Sequence, residues 1–242
     1  MTAARRRAIS LLAVALLIGL VAAFAWTRAN SGEGRLGPRT ERPELLLLTS
    51  LPLAFGDSFS LDAAGSPVLD ALERRYRVRI IATASPSELQ HARLLLMAHP
   101  LALPAEDLVA LDDWVRKGGR LLLLADPRLD WADGRALGDP TRPPPMFMDT
   151  GLLAHWGLRL DPPTESGDRA STLAGQTIAA RSPGQFHGAC VISADRIVAK
   201  CRIGAGTAIL VADADFLDWS KGEAGAQGAT ALLAALDSLE HG

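Results

Sequence analysis

The sequence predicts an α/β domain built on a mainly parallel sheet and reached from one N-terminal apolar segment. Three observations predict it. Short uninterrupted apolar runs recur, of which Glu44–Thr49 (ELLLLT) is the first, and strands of that kind are buried on both faces. Helical patterns with capping signals alternate with these runs. Strand–helix–strand order then requires right-handed crossovers and a parallel sheet covered by helices.

Size and charge narrow the reading further. The chain has 242 residues, room for one sizeable domain plus an anchor. Hydrophobic residues make up 48% and aromatics only 5%, so the core is aliphatic. The formal net charge is −2, and no acidic residue precedes Thr27, so the part beyond Arg7 is more acidic still. Such a surface offers no electrostatic footing for nucleic acid, and none is expected as a partner.

Ala8 to Trp26 (AISLLAVALLIGLVAAFAW) is uncharged and follows Arg5-Arg6-Arg7. As a helix it is about 28 Å long, close to the hydrocarbon thickness of a bilayer. The arginines favour the cytoplasmic side and Trp26 suits the opposite interface. The expectation is a single-pass inner-membrane protein: residues 1–7 a cytoplasmic tail, 8–26 the anchor, 27–43 a linker, and 44–242 an extracytoplasmic α/β domain. A cleaved signal peptide competes with it, because Ala23-Phe24-Ala25 has the small-x-small form of a cleavage site. Both readings export the domain.

After the first strand, Ser66-Pro67 opens a helix with Ser66 as N-cap and an apolar stripe of Val68, Leu69, Leu72 and Tyr76. Val78–Ala82 and Arg93–Ala98 read as strands. Leu103–Lys117 is the clearest helix: acidic residues favour its positive end, Arg116 and Lys117 its negative end, and Gly118-Gly119 stops it. Arg120–Ala125 (RLLLLA) follows as a strand. Asp126 to Met148 is rich in Pro and Arg and reads as a long surface loop. Asp149–Trp156 is a short helix, Leu158–Leu160 an extended piece, and Thr177–Arg181, Ala189–Ser193, Ile197–Ile203 and Thr207–Ala212 are strands. Gly225–Leu239 closes the chain as an Ala/Leu helix.

The segment LLLMAHPLALPAEDLVALDDWVRKGGRLLLLADP, Leu94 to Pro127, resembles the central signature of the GldG-like auxiliary proteins of ABC transport systems. DTGLLAHWGLRLDP (Asp149–Pro162) and GAGTAILVADADFLD (Gly204–Asp218) agree with it in order. The resemblance implies a three-layer, flavodoxin-like domain of the degenerate class I glutamine-amidotransferase type. It also implies work outside the membrane beside a transporter permease or related envelope subunits. The chain departs from that pattern in being short, with one apolar span.

Catalysis in such a fold needs a Cys on a tight strand-to-helix turn with a His and an acid nearby. Neither Cys190 nor Cys201 stands in a Gly-x-Cys-x-Gly turn, no Gly-x-Ser-x-Gly elbow occurs, and the five histidines are isolated. The sequence therefore reads as a binding or scaffold module. The rival is a divergent hydrolase or amidotransferase using the carboxyl rim of the sheet, with an aspartate-bound metal and His99. In a hairpin turning at Asp195-Arg196, 192 faces 199 and 191 faces 200, so Cys190 lies opposite Cys201, within disulfide reach. The alternative is a pair of buried thiols. Asp126 follows one parallel strand and Asp213 and Asp215 another, where ligands settle in open α/β sheets. Three carboxylates there could hold Ca²⁺ or Mg²⁺. The pattern favours turn-starting and capping roles, so no metal and no cofactor is expected. His99-Pro100 lies at the same rim, Asp112-Asp113 reads as a solvated helix face, and Trp131 and Phe147 either present a partner-binding patch or fold back over the sheet.

Overall fold

The computed structural model describes residues 42–53, 66–131, 135–136, 138–139 and 141–241. The chain divides into two units, Met1–Glu41 and Arg42–Gly242, and every described residue belongs to the second. The expected anchor at 8–26 lies outside the described residues. Among the described residues no helix is long and apolar enough to cross a membrane.

In chain order the elements are β1 (Glu44–Thr49), α1 (Pro67–Arg75), β2 (Arg77–Ile80), α2 (Pro86–Leu89), β3 (Leu94–Ala98), α3 (Ala105–Arg116) and β4 (Arg120–Leu124). Then follow α4 (Leu152–His155), β5 (Leu158–Asp161), β6 (Asp168–Leu173), β7 (Gln176–Arg181) and β8 (Gln185–Gly188). β9 (Val191–Ile192), β10 (Val198–Ile203), β11 (Gly206–Val211), two 3₁₀ turns (Asp215–Leu217 and Trp219–Lys221) and α5 (Glu223–His241) complete the chain.

Seven strands form the central sheet in the order β2-β1-β3-β4-β11-β10-β9. The first five are parallel; at one edge β10 pairs antiparallel with β11, and β9 antiparallel with β10. Register explains the layers. Leu45, Leu94, Arg120 and Thr207 align across β1, β3, β4 and β11, so successive residues point to alternate faces in step. Leu45, Leu47, Leu94, Leu96, Leu122 and Leu124 meet Leu72 of α1 and Leu232, Leu236 and Leu239 of α5. Leu46, Leu95, Met97, Leu121, Leu123 and Leu210 meet Leu89, Leu111, Val115 and Leu152 of α2, α3 and α4. The result is a mixed α/β domain with a mostly parallel central sheet, compatible with a flavodoxin-like fold.

Local chemistry places the helices. Ser66 Oγ accepts from the Leu69 amide at 3.0 Å and Pro67 stands at the first helical position of α1. Three elements differ from the sequence reading. α2 is a single turn, too short for a period to show. β6 (DRASTL) exposes four of its six residues, so it carries no apolar signal; it pairs with β7 as a separate hairpin. β8 pairs with β5 away from the main sheet. Asp112 is also different. It accepts from Trp156 Nε1 at 2.8 Å and Arg116 Nε at 2.6 Å, joining α3 to the end of α4, while Asp113 remains exposed.

The hairpin register is the one counted from sequence: Ile192 faces Ala199 and Val191 faces Lys200. Cys190 and Cys201 are joined by a disulfide, with Cα atoms 4.8 Å apart. Unreduced protein should show no free thiol by mass spectrometry, and replacing both cysteines by serine should cost about 2–3 kcal/mol for so short a loop. Elsewhere glycines permit close packing. A Cβ on Gly228 of α5 would lie 1.9 Å from the Phe216 carbonyl oxygen. Gly228→Ala gains about 1 kcal/mol of helix propensity in an open setting. Here thermal unfolding should instead show a net loss of roughly 1–3 kcal/mol from overpacking.

Candidate functional site

The parallel strands end at one rim, and three buried carboxylates meet there. Asp126 follows β4, while Asp213 and Asp215 follow β11, the neighbouring strand. One oxygen from each lies within 4.8 Å of the others. Asp126 and Asp213 are fully buried and Asp215 is 6% exposed. In sequence the three stand where ligands settle in open α/β sheets. Their burial leaves no carboxylate for a macromolecular partner to touch.

Their hydrogen bonds show what they do locally. Asp126 accepts from the amides of Arg128 and Ala214, both at 2.8 Å. Asp213 accepts from the amides of Arg181 at 2.7 Å and Phe216 at 3.0 Å. Asp215 Oδ2 accepts from the Asp130 amide at 2.8 Å. Five amides from three chain segments therefore converge on one acidic cluster. Asp215 Oδ1 is buried with no hydrogen-bond partner.

Electrostatics follows from that crowding. Burial raises the Asp126 carboxyl to about 6 against the amides that hold it down. Burial, then the charges of Asp126 and Asp215, push Asp213 well above the usual carboxylate range. Burial and the Asp126 charge raise Asp215 to about 8. The neighbouring Arg181 pairs through Nε with Asp168 at 3.0 Å. A cavity of about 100 Å³ opens beside Asp215, bordered by Arg181, Phe216, Asp218 and Lys221.

His99 sits at the rim after β3 with φ 47°, a left-handed conformation rare outside glycine. It is fully buried, and its Nε2 lies 2.9 Å from the Pro144 carbonyl oxygen. A carbonyl only accepts, so Nε2 carries the proton and Nδ1, which has no partner, is bare. Burial lowers the His99 pKa and keeps the ring neutral. No histidine joins the carboxylate group among the described residues, so the expected pairing of His99 with an aspartate-bound metal does not assemble. Trp131 and Phe147 separate as well. Trp131 packs edge-on against Trp219, ring centroids 5.3 Å apart, on the α5 side of the sheet, whereas Phe147 packs on the α3 side. Both fold back onto the core, while Met146 and Met148 are half-exposed.

Sequence reasoning missed Arg181 and Asp130 at this rim. Neither carries a motif; both arrive through amides donated to Asp213 and Asp215. The Asp-x-Asp after β11 was the available signal.

The family model described as an ABC-type uncharacterized transport system, auxiliary, matches residues 42–186. The chain belongs to that family. No curated protein matches it. Among solved structures, a cytoplasmic protein from Salmonella typhimurium LT2 is similar, with a TM-score of 0.52 and 10% identity over 81% of this chain and 99% of that one. An exo-beta-1,4-mannosidase from Opitutaceae bacterium strain TAV5 is similar with a TM-score of 0.51 and 13% identity. The match covers 82% of this chain and 36% of the mannosidase, so the family member spans about a third of that enzyme's length. At these identities the likeness is one of fold alone.

The raised carboxyl values set a pH dependence. An acid whose pKa rises on folding holds its proton more tightly in the folded state. Its contribution therefore falls as pH climbs from the unfolded value of 3.8 to the folded one, then levels. His99 gives the opposite slope only below about pH 6.5. In chelator-treated protein, stability should decline from about pH 6.5 to about 8. Chemical denaturation of Asp215→Asn at the same pH values should give a shallower decline; an unchanged slope contradicts this assignment.

Proposed function

We infer that this member of the ABC transport auxiliary family is a non-catalytic scaffold domain of the GldG-like type. Residues 8–26 tether it to the membrane, and it stands on the extracytoplasmic side beside the permease subunits of an ABC-type system. The observation that carries the reading is the disulfide. It consumes Cys190 and Cys201, the two cysteines of the chain, and so leaves no thiol nucleophile for amidotransferase chemistry. A disulfide of this kind also persists in an oxidising compartment, which supports export. Family membership over residues 42–186 supports the transport setting.

A tether confines the domain near integral partners and raises its effective concentration there. The contact surface in this reading is the exposed side of the loop after β4, where Met146 and Met148 stand half-exposed. Trp131 and Phe147 serve that surface from beneath by fixing the two ends of the loop to opposite faces of the sheet.

A photocrosslinking amino acid at position 148 tests the proposal in intact cells. Recovery of a permease subunit from solubilised membranes is the expected result. Crosslinks to cytosolic proteins alone, with both thiols free in the isolated chain, would overturn both the partner and the location.

A further inference from the structure

We propose that Asp126, Asp213 and Asp215 form a Ca²⁺ site at the carboxyl rim of the sheet, closing the loops after β4 and β11. The inference does not depend on the transport reading. It begins with a conflict between charge and hydrogen bonding. Backbone N–H groups favour the ionised form of a carboxylate. Asp126 and Asp213 each receive an N–H on both oxygens, and Asp215 receives one on Oδ2. Five donors thus favour the ionised form of three acids that lie within 4.8 Å of one another and out of water, against the burial that favours their protonated form.

Ionising all three together in this buried place requires compensation. None of the three makes a close ion pair among the described residues: Arg181 pairs with Asp168 and Lys221 with Asp218, and the charge of Arg181 reaches Asp215 only from a distance. The second observation concerns Asp215, whose Oδ1 is buried and without a hydrogen-bond partner. A bound cation resolves both problems together. It neutralises two of the three charges and gives that oxygen a ligand bond, while the five amide bonds stay in place on the other lone pairs.

The donor set selects the metal. Oxygen ligands with no sulfur or nitrogen suit a hard cation, Ca²⁺ or Mg²⁺. Two ligands on opposite sides of Ca²⁺ stand about 4.6–5.2 Å apart, against about 4.0–4.2 Å for Mg²⁺. Oxygens within 4.8 Å of one another lie inside the Ca²⁺ span, and Ca²⁺ accepts irregular geometry where Mg²⁺ demands a near-ideal octahedron. The cavity of about 100 Å³ beside Asp215 provides entry and room for the waters that complete the shell.

Full-length protein in detergent, stripped with a chelator, tests the site. Ca²⁺ at a hundredfold excess over its Kd should raise the thermal midpoint by roughly 5–10 °C. Mg²⁺ at the same concentration should raise it less. Tb³⁺, a Ca²⁺ surrogate, should bind once per chain and be displaced by Ca²⁺. Asp215→Asn keeps an oxygen for the Asp130 amide and should lose the Ca²⁺ shift while unfolding in chelator at or above the wild-type midpoint. Asp161→Asn, an acid outside the cluster, should retain the full shift. No shift with Ca²⁺ in folded wild-type protein overturns the site, as does an undiminished shift in Asp215→Asn, which would place the ion elsewhere. An equal shift with Mg²⁺ overturns the assignment to Ca²⁺.

Discussion

The rim of this domain depends on buried carboxylates accepting backbone amides. A parallel sheet satisfies its own polar groups along the strands, but its loops have no ladder and must find partners elsewhere. Here Asp126 ties the turn after β4 to the turn after β11, Asp213 reaches the end of β7, and Asp215 returns to the Asp130 amide. That fastening lets Trp131 lie against Trp219 and seats the β6–β7 hairpin, through Leu173, Ile178 and Ala180, in the core shared with α5. The cost is the burial of three acids in contact, and their raised pKa values are its signature.

Much of the architecture was legible because doubly buried strands admit few readings. Runs such as LLLMA and RLLLL leave no polar face to expose, and the Gly-Gly stop of α3 fixes where the next strand begins. The disulfide was legible for a different reason: a hairpin has a countable register, and Cys190 and Cys201 fall on facing positions. Elements that bury little left no trace, as α2 and β6 show.

The site was legible in part. Position at the ends of adjacent parallel strands marked Asp126, Asp213 and Asp215 in advance. Their burial was hidden because Asp-Pro and Asp-x-Asp are ordinary turn chemistry, and here they perform that chemistry inside the protein. Asp112 misled in the same direction. Its neighbour Asp113 is solvated as expected, yet Asp112 turns inward to the Trp156 indole, a contact 44 residues distant that no local pattern encodes. His99 belongs to the rim but reaches Pro144, not the carboxylates. Fold likeness to an enzyme and to a cytoplasmic protein adds no chemistry to this rim; its properties come from the chain's own residues.

Native-state hydrogen exchange of the five donated amides, Arg128, Asp130, Arg181, Ala214 and Phe216, tests the account most directly. All five lie outside the main sheet's ladder, and loop amides ordinarily exchange early. If carboxylates fasten the rim, these amides exchange with protection close to that of β4 and β11. Exchange at the rate of open loops, with the sheet still protected, would contradict it.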